Sequence, residues 1–259
     1  MLPAQRRDVL LTRLSEDGRI VVKELAPRLG VTEDSLRRDL RELAAEGRCQ
    51  RVYGGALPVS PATADYATRR DLAVDSKRNV AARAAALIRP GSTVILDGGS
   101  TTLAVARQLP AELVATVVTH SPTVAAALVE HPRVEIFLIG GRVFKHSAVA
   151  SGAAAVEAAA GVNADLFLLG VTGIHPHAGL TTGDSDEAAM KRALARRAAD
   201  TYVLGSEEKI GAASQFAVLP LDEVAGVITD ADPSNPTVSE LLRRGVPILQ
   251  ATKDSGSDS

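Results

Sequence analysis

The chain has 259 residues, 46% of them hydrophobic, which suffices for one large packed domain or two smaller ones. Aromatic content is 3% and Trp is absent, which argues against stacking platforms for single-stranded nucleic acid. A net charge of −2 gives no global electrostatic case for nucleic acid or membrane, and the lone Cys49 excludes an internal disulfide and an all-Cys metal site.

The charge is mildly uneven: residues 1–57 hold 11 Arg or Lys against 9 Asp or Glu. Residues 5–17 predict a helix with Val9, Leu10 and Leu14 on one face, followed by Gly18. A short strand is expected over 18–22 and a second helix over 23–29, where Pro27 should remove one helical hydrogen bond. Gly30-Val31-Thr32 is the turn. Thr32 caps a third helix over 33–46, ended by Gly47. Leu36, Leu40 and Leu43 form its buried stripe, Arg38 and Arg41 project from the opposite side, and Ser35 and Arg37 flank them. Residues 49–53 alternate like a strand and stop at Gly54-Gly55, as the wing of a winged helix–turn–helix would. The ordered set predicts a DNA-binding domain over 1–57; a solvated helical domain is the plainer alternative.

Residues 58–75, with Pro58 and Pro61, read as a linker, and a helix over 75–88 opens a second domain, 76–252. Strands and helices then alternate: strands at 93–96, 115–119, 134–139, 166–169, 201–204, 224–229 and 247–250, and helices from Ser100, over 122–130, 153–160, 185–199 and 236–244. A polar loop is expected before Thr182. This is an α/β pattern with a mostly parallel sheet covered on both faces. The tail, 253–259, reads as disordered. No apolar run approaches the roughly 20 residues that span a bilayer, and the polar, basic start is not a signal peptide, so a cytoplasmic location is expected.

The chemistry concentrates on Asp97-Gly98-Gly99-Ser100-Thr101-Thr102. A buried strand ends at Asp97, two glycines let the backbone approach a ligand, and hydroxyl residues open a helix whose free N–H groups face an anion. It is neither a Walker A loop nor a dinucleotide fingerprint. Other strand ends add His120, Arg142, Glu187, Lys191 and Lys209. Cations and N–H groups for phosphate, with carboxylates for hydroxyls, suit a phosphorylated sugar or polyol. Each residue also has a structural reading, such as a helix-stabilising Glu187–Lys191 pair. His175 and His177 lack a third ligand at suitable spacing, so neither metal nor cofactor is expected.

These residues resemble the DeoR-type bacterial transcriptional regulators over about residues 5–250. In the first domain the resemblance rests on Gly30-Val31-Thr32, Leu36-Arg37-Arg38-Asp39-Leu40 and Arg51-Val52-Tyr53-Gly54-Gly55-Ala56. In the second it rests on Lys77, Asp97 to Thr102, Gly140-Gly141, Gly179-Leu180-Thr181, Glu187, Lys191 and Lys209. It implies a winged-helix operator-binding domain joined to a sensor domain similar to ribose-5-phosphate isomerase. Thr32, Ser35, Arg37, Arg38, Arg41, Arg51 and Tyr53 would then meet double-stranded operator DNA. Asp97 to Thr102, Glu187, Lys191 and Lys209, joined by His120 and Arg142, would hold a phosphorylated sugar. The chain departs from the family in having His120 after Thr119 in place of Asn, and Ser206 where an Asp is usual.

The expected function is therefore a repressor of carbohydrate-metabolism genes, working as a homodimer or homotetramer because paired half-sites need a two-fold. Two alternatives stand beside it. One is an aldose–ketose isomerase with Asp184 or Glu187 as base and Lys191 or Lys209 stabilising the enediolate. The other is a ligand-independent DNA-binding regulator with a vestigial sensor.

Overall fold

A computed structural model describes residues 2–252, so the expected tail lies outside the described residues. The first domain packs three helices, Pro3–Asp17, Val22–Leu29 and Glu33–Ala45, against a small antiparallel sheet. In that sheet Gly55–Leu57 lies between Ile20–Val21 and Gln50–Val52. The first helix begins two residues earlier than its apolar stripe suggests, because Pro3 takes the first helical position, where a missing N–H costs nothing. The second helix runs through Pro27, which lies near its end, and closes on Gly30 in the left-handed region.

Leu10, Leu14, Leu36, Leu40 and Leu43 fill the core with Ile20, Val22 and Ala26. The wing is a hairpin: Gln50–Val52 pairs with Gly55–Leu57. A Cβ on Gly55 would sit 1.7 Å from the Ile20 carbonyl oxygen, so the wing closes on the first strand only with glycine there. Asp39, within the Arg-Arg-Asp-Leu run, is buried and accepts from Arg6 Nε and from Arg6 Nη2 at 3.1 Å. This pair locks the third helix to the first.

The second domain is built on seven strands, every neighbouring pair parallel. From one edge to the other they run Ile248–Gln250, Gly226–Thr229, Ala198–Leu204, Ala164–Gly170, Thr93–Leu96, Ala115–Thr119, Val134–Leu138. The chain leaves Thr93–Leu96 toward one edge, then returns to build the other half from Ala164–Gly170. The order thus reverses between these two strands, the place where ligands bind in open α/β sheets. Alternate strand residues serve opposite faces. Val94, Leu96, Leu166 and Leu168 pack with Val80, Ala84 and Val105, while Ile95, Phe167 and Leu169 pack with Met190, Leu194 and Leu241. No helix among the described residues is long and apolar enough to cross a membrane.

Three stretches depart from the sequence reading. The segment read as a linker holds a 3-10 turn, Pro61–Thr63, and a helix, Tyr66–Asp71, capped by Asp65, whose carboxylate accepts from Thr68 N–H at 2.8 Å. The expected polar loop forms a hairpin, Gly173–His175 with Gly179–Thr182, extended by Phe216–Ala217. Arg142–Phe144 pairs with Val149–Ser151. These pieces are two to six residues long, too short to declare a period.

Asp39→Ala leaves the Arg6 guanidinium beside the core without its carboxylate. It should destabilise the first domain by about 2–3 kcal/mol in chemical denaturation of the full chain followed by circular dichroism. An unchanged first transition would show that the pair contributes nothing.

Candidate functional site

At the reversal point, Asp97 ends its strand fully buried. Its Oδ1 accepts from Gly98 N–H at 2.8 Å and faces His120 Nε2 at 2.7 Å; its Oδ2 accepts from Gly170 N–H at 2.9 Å and from Lys191 Nζ at 2.6 Å. Burial pushes the Asp97 carboxyl up, but the Lys191 ammonium and the His120 hydrogen bond outweigh it and hold it well below the usual carboxylate range. His120 Nδ1 faces the Ala150 carbonyl at 2.8 Å. Both of these partners are hydrogen-bond acceptors.

Above this anchor lies a cavity. Gly98 to Thr102 form one wall, at the start of helix Ser100–Arg107. Gly99 takes a φ of 121°, which turns the backbone into that helix. A Cβ on Gly170 would come 2.9 Å from the Gly98 carbonyl oxygen, so the ends of the two central strands meet only without a side chain there. Arg69, Lys77, Lys191 and Lys209 bring four cations to the cavity and Glu187 and Glu208 two carboxylates, with Ser147, Thr172 and Thr182 among its polar lining.

Lys209 is buried; its Nζ donates to Thr101 Oγ1 at 3.0 Å and to the Leu204 carbonyl at 3.2 Å. Burial pulls its ammonium down to about 8, with Glu208 opposing the shift. Burial likewise lowers Lys77, against the pull of Glu208, and Arg69, against that of Glu187. Cations crowded in a dry pocket this way gain from an anion that water would supply less well.

The structure brings Gly98 to Thr102, Glu187, Lys191 and Lys209 together and corrects three expectations. Asp97 and His120 lie beneath the cavity rather than in its wall; the carboxylate is consumed by its four protein partners and is not free for a sugar hydroxyl. Arg142 is exposed on the outward hairpin and lines a different groove, with Ser151, Gly152 and Asp186. Asp184 caps its helix, its Oδ1 accepting from Asp186 and Glu187 N–H at 3.0 Å, and also lies outside the cavity. Sequence reasoning gave no site role to Arg69, in a supposed linker, to Lys77, or to Glu208, in a loop where Ser206 and Lys209 drew notice. No group of three or more His, Cys, Asp or Glu that could hold a metal occurs among the described residues.

On the first domain, Arg37, Arg38 and Arg41 are exposed along helix Glu33–Ala45, and Thr32 Oγ1 accepts from Ser35 N–H at 3.2 Å at its start. Arg37 is tied to Glu33 at 2.5 Å, whereas Arg38 and Arg41 make no ion pair among the described residues. Arg51 is exposed on the wing, and Tyr53 at its tip is fully exposed. A helix–turn–helix with a free arginine face, followed by an anion cavity at a sheet reversal, is the organisation of a ligand-sensing regulator.

The family is shown by comparison of the sequence with family models and curated relatives. The family model described as DeoR C terminal sensor domain matches residues 72–231, and that of the DeoR-like helix-turn-helix domain matches residues 6–62. The chain is 32% identical to the HTH-type transcriptional regulator GlpR of Haloferax volcanii, covering 96% of this chain and 98% of that protein. It is 31% identical to the HTH-type transcriptional repressor GlcR of Bacillus subtilis over the whole of both chains. The glycerol-3-phosphate regulon repressor of Escherichia coli is 28% identical, over 90% of this chain and 93% of that one. Ribose 5-phosphate isomerase A of Methanocaldococcus jannaschii, 17% identical, covers 51% of this chain with a TM-score of 0.38. The chain belongs to the DeoR family of transcriptional regulators.

Asp97→Asn removes the charge that holds Lys191. The variant should lose about 3–5 kcal/mol in denaturant titration at neutral pH. Because the folded carboxyl lies below its unfolded value, its contribution is present above about pH 4 and fades as pH falls further. The gap between variant and wild type should therefore narrow in acid; a gap constant to pH 2 would rule out the ionised carboxylate as its source.

Proposed function

We propose that this regulator is a repressor of carbohydrate-metabolism genes and that a phosphorylated sugar bound in the cavity releases it from its operator. The observation that carries this is the pairing of the Gly98–Thr102 amides with Lys191 and Lys209 above a buried carboxylate, beside Glu187. The phosphate would take the amides at the helix start and the lysines, and Glu187 would accept from a sugar hydroxyl. Relatives named as repressors of a glycerol-3-phosphate regulon and of other genes support the sign of regulation.

Arg38 and Arg41, with Arg37, Thr32 and Ser35, would enter the major groove, while Arg51 and Tyr53 of the wing would touch the backbone. Paired half-sites call for a homodimer or homotetramer, and the protein would act in the cytoplasm. The site is read as a sensor rather than a catalyst. Of the two candidate bases, Asp184 is committed to a helix cap outside the cavity, which leaves Glu187 alone, and the relatives are named as regulators. The decisive experiment is a thermal-shift screen of sugar phosphates on the full chain, followed by operator gel shift with each hit. A hit that leaves the protein–DNA complex intact would refute release by effector.

The two sites should separate by mutation. Arg38→Ala should weaken operator binding by about 1–3 kcal/mol, roughly 5- to 150-fold, at unchanged effector affinity. Thr101→Val should weaken the effector and spare the operator. Equal DNA affinity for Arg38→Ala and wild type would move the recognition surface elsewhere.

The Lys209 ammonium is charged below about pH 8. Affinity for sulfate, which does not titrate in this range, should therefore fall as pH rises through 8. In Lys209→Met the affinity should be weaker and its decline across pH 8 lost; an unaltered profile in calorimetry would remove Lys209 from the anion's surroundings.

A further inference from the structure

The connector between the two domains does more than join them. Residues 63–71 lie between the stretches matched by the two family models, 6–62 and 72–231. Yet Arg69 of this segment lines the anion cavity, as does Ala62 just before it. Among the described residues, only two buried side-chain polar atoms lack a hydrogen-bond partner, Arg69 Nε and Glu208 Oε2. Both belong to residues of the cavity wall. Buried polar atoms are nearly always satisfied, so an unmatched donor and an unmatched acceptor in one pocket describe what its ligand must offer. A phosphate oxygen takes the donor and a hydroxyl gives to the acceptor.

The connector is also strapped down along its length. Ser60 Oγ donates to the Thr172 carbonyl, Tyr66 N–H to the His146 carbonyl at 2.9 Å, and Tyr66 Oη to Thr123 Oγ1 at 2.9 Å. Lys77 Nζ holds the Arg69 carbonyl at 2.5 Å and the Leu72 carbonyl. At its other end, Val59 pairs with Ala213, two residues after Leu57, the end of the central wing strand.

We propose that Arg69 is part of the anion site and that the connector, residues 58–71, carries the site's occupancy to the wing. This rests on the cavity being the effector site. An anion on Arg69 Nε draws helix Tyr66–Asp71 toward the Gly98–Thr102 loop. Between Arg69 and Leu57 the path is continuous backbone, so the pull reaches the strand on which the wing and Ile20–Val21 are built. The ligand thereby has a differential contact between two arrangements of the connector, as coupling requires.

Amide hydrogen exchange of the full chain, with and without saturating inorganic phosphate, tests this. In wild type, phosphate should slow exchange severalfold in 98–103 and in 60–72, and should alter exchange in 50–57. In Arg69→Gln, protection should remain only at 98–103, with phosphate affinity at least fivefold weaker. Should that variant not fold, Tyr66→Phe loosens the connector without touching the cavity wall, and phosphate should then alter 50–57 less than in wild type. Protection of 98–103 with 60–72 unchanged in wild type would overturn the connector's role and leave the anion site standing. No protection of either segment would overturn both.

Discussion

One buried carboxylate organises the sensor domain. Asp97 receives two backbone N–H groups, a histidine and a lysine from four places in the chain: its own turn, the end of strand Ala164–Gly170, the residue after strand Ala115–Thr119 and helix Ser185–Ala195. An ionised group in such a place costs several kcal/mol unless every lone pair is met, and here the protein meets them. The consequence is geometric. The two central strands are pinned at the point where the chain reverses direction, and the Gly98–Thr102 amides and Lys191 are fixed around the same opening.

The cavity balances opposing demands. Four cations in a confined space repel one another and lose hydration, which is why burial depresses Lys77, Lys209 and Arg69. Glu187 and Glu208 offset part of this. With four cations against two carboxylates, the lining remains net positive. Glu208 Oε2 is a buried oxygen that no protein donor reaches among the described residues.

The two domains meet through backbone as well as side chains. Arg19, beside strand Ile20–Val21, approaches His177 at 3.3 Å, and His177 is also contacted by Arg244 at 2.9 Å. His177 sits at the turn of the Gly173–Thr182 hairpin, whose Thr182 lines the cavity, and Ile174 of that hairpin pairs with Ile210, next to Lys209. Occupancy of the cavity is therefore bordered by two segments that reach the DNA-binding half, the connector and this hairpin.

Local chemistry in the sequence determined much of this protein. The Leu36–Leu40–Leu43 stripe, the Thr32 cap and the β-branched strands with glycine ends carry strong short-range signals, so the helix–turn–helix, the parallel strands and the Gly98–Thr102 loop were legible from residues alone. The expected site residues Glu187, Lys191 and Lys209 were legible as charged residues, the first two on helix Ser185–Ala195 and the third in the turn Glu207–Lys209. The tertiary structure alone decided which polar groups face the cavity and which lie beneath it. His120 and Asp97 look like ligand contacts along the chain, but three of the four Asp97 partners, His120 among them, are 23 to 94 residues away and turn the pair inward. Arg142 is carried outward by a hairpin too short to announce itself. Arg69 enters the site from a Pro-containing connector because Lys77 and His146, distant in sequence or in fold, hold its helix there. Periodicity reports what a residue does to its own element; which pocket it faces is set by contacts that no local pattern records.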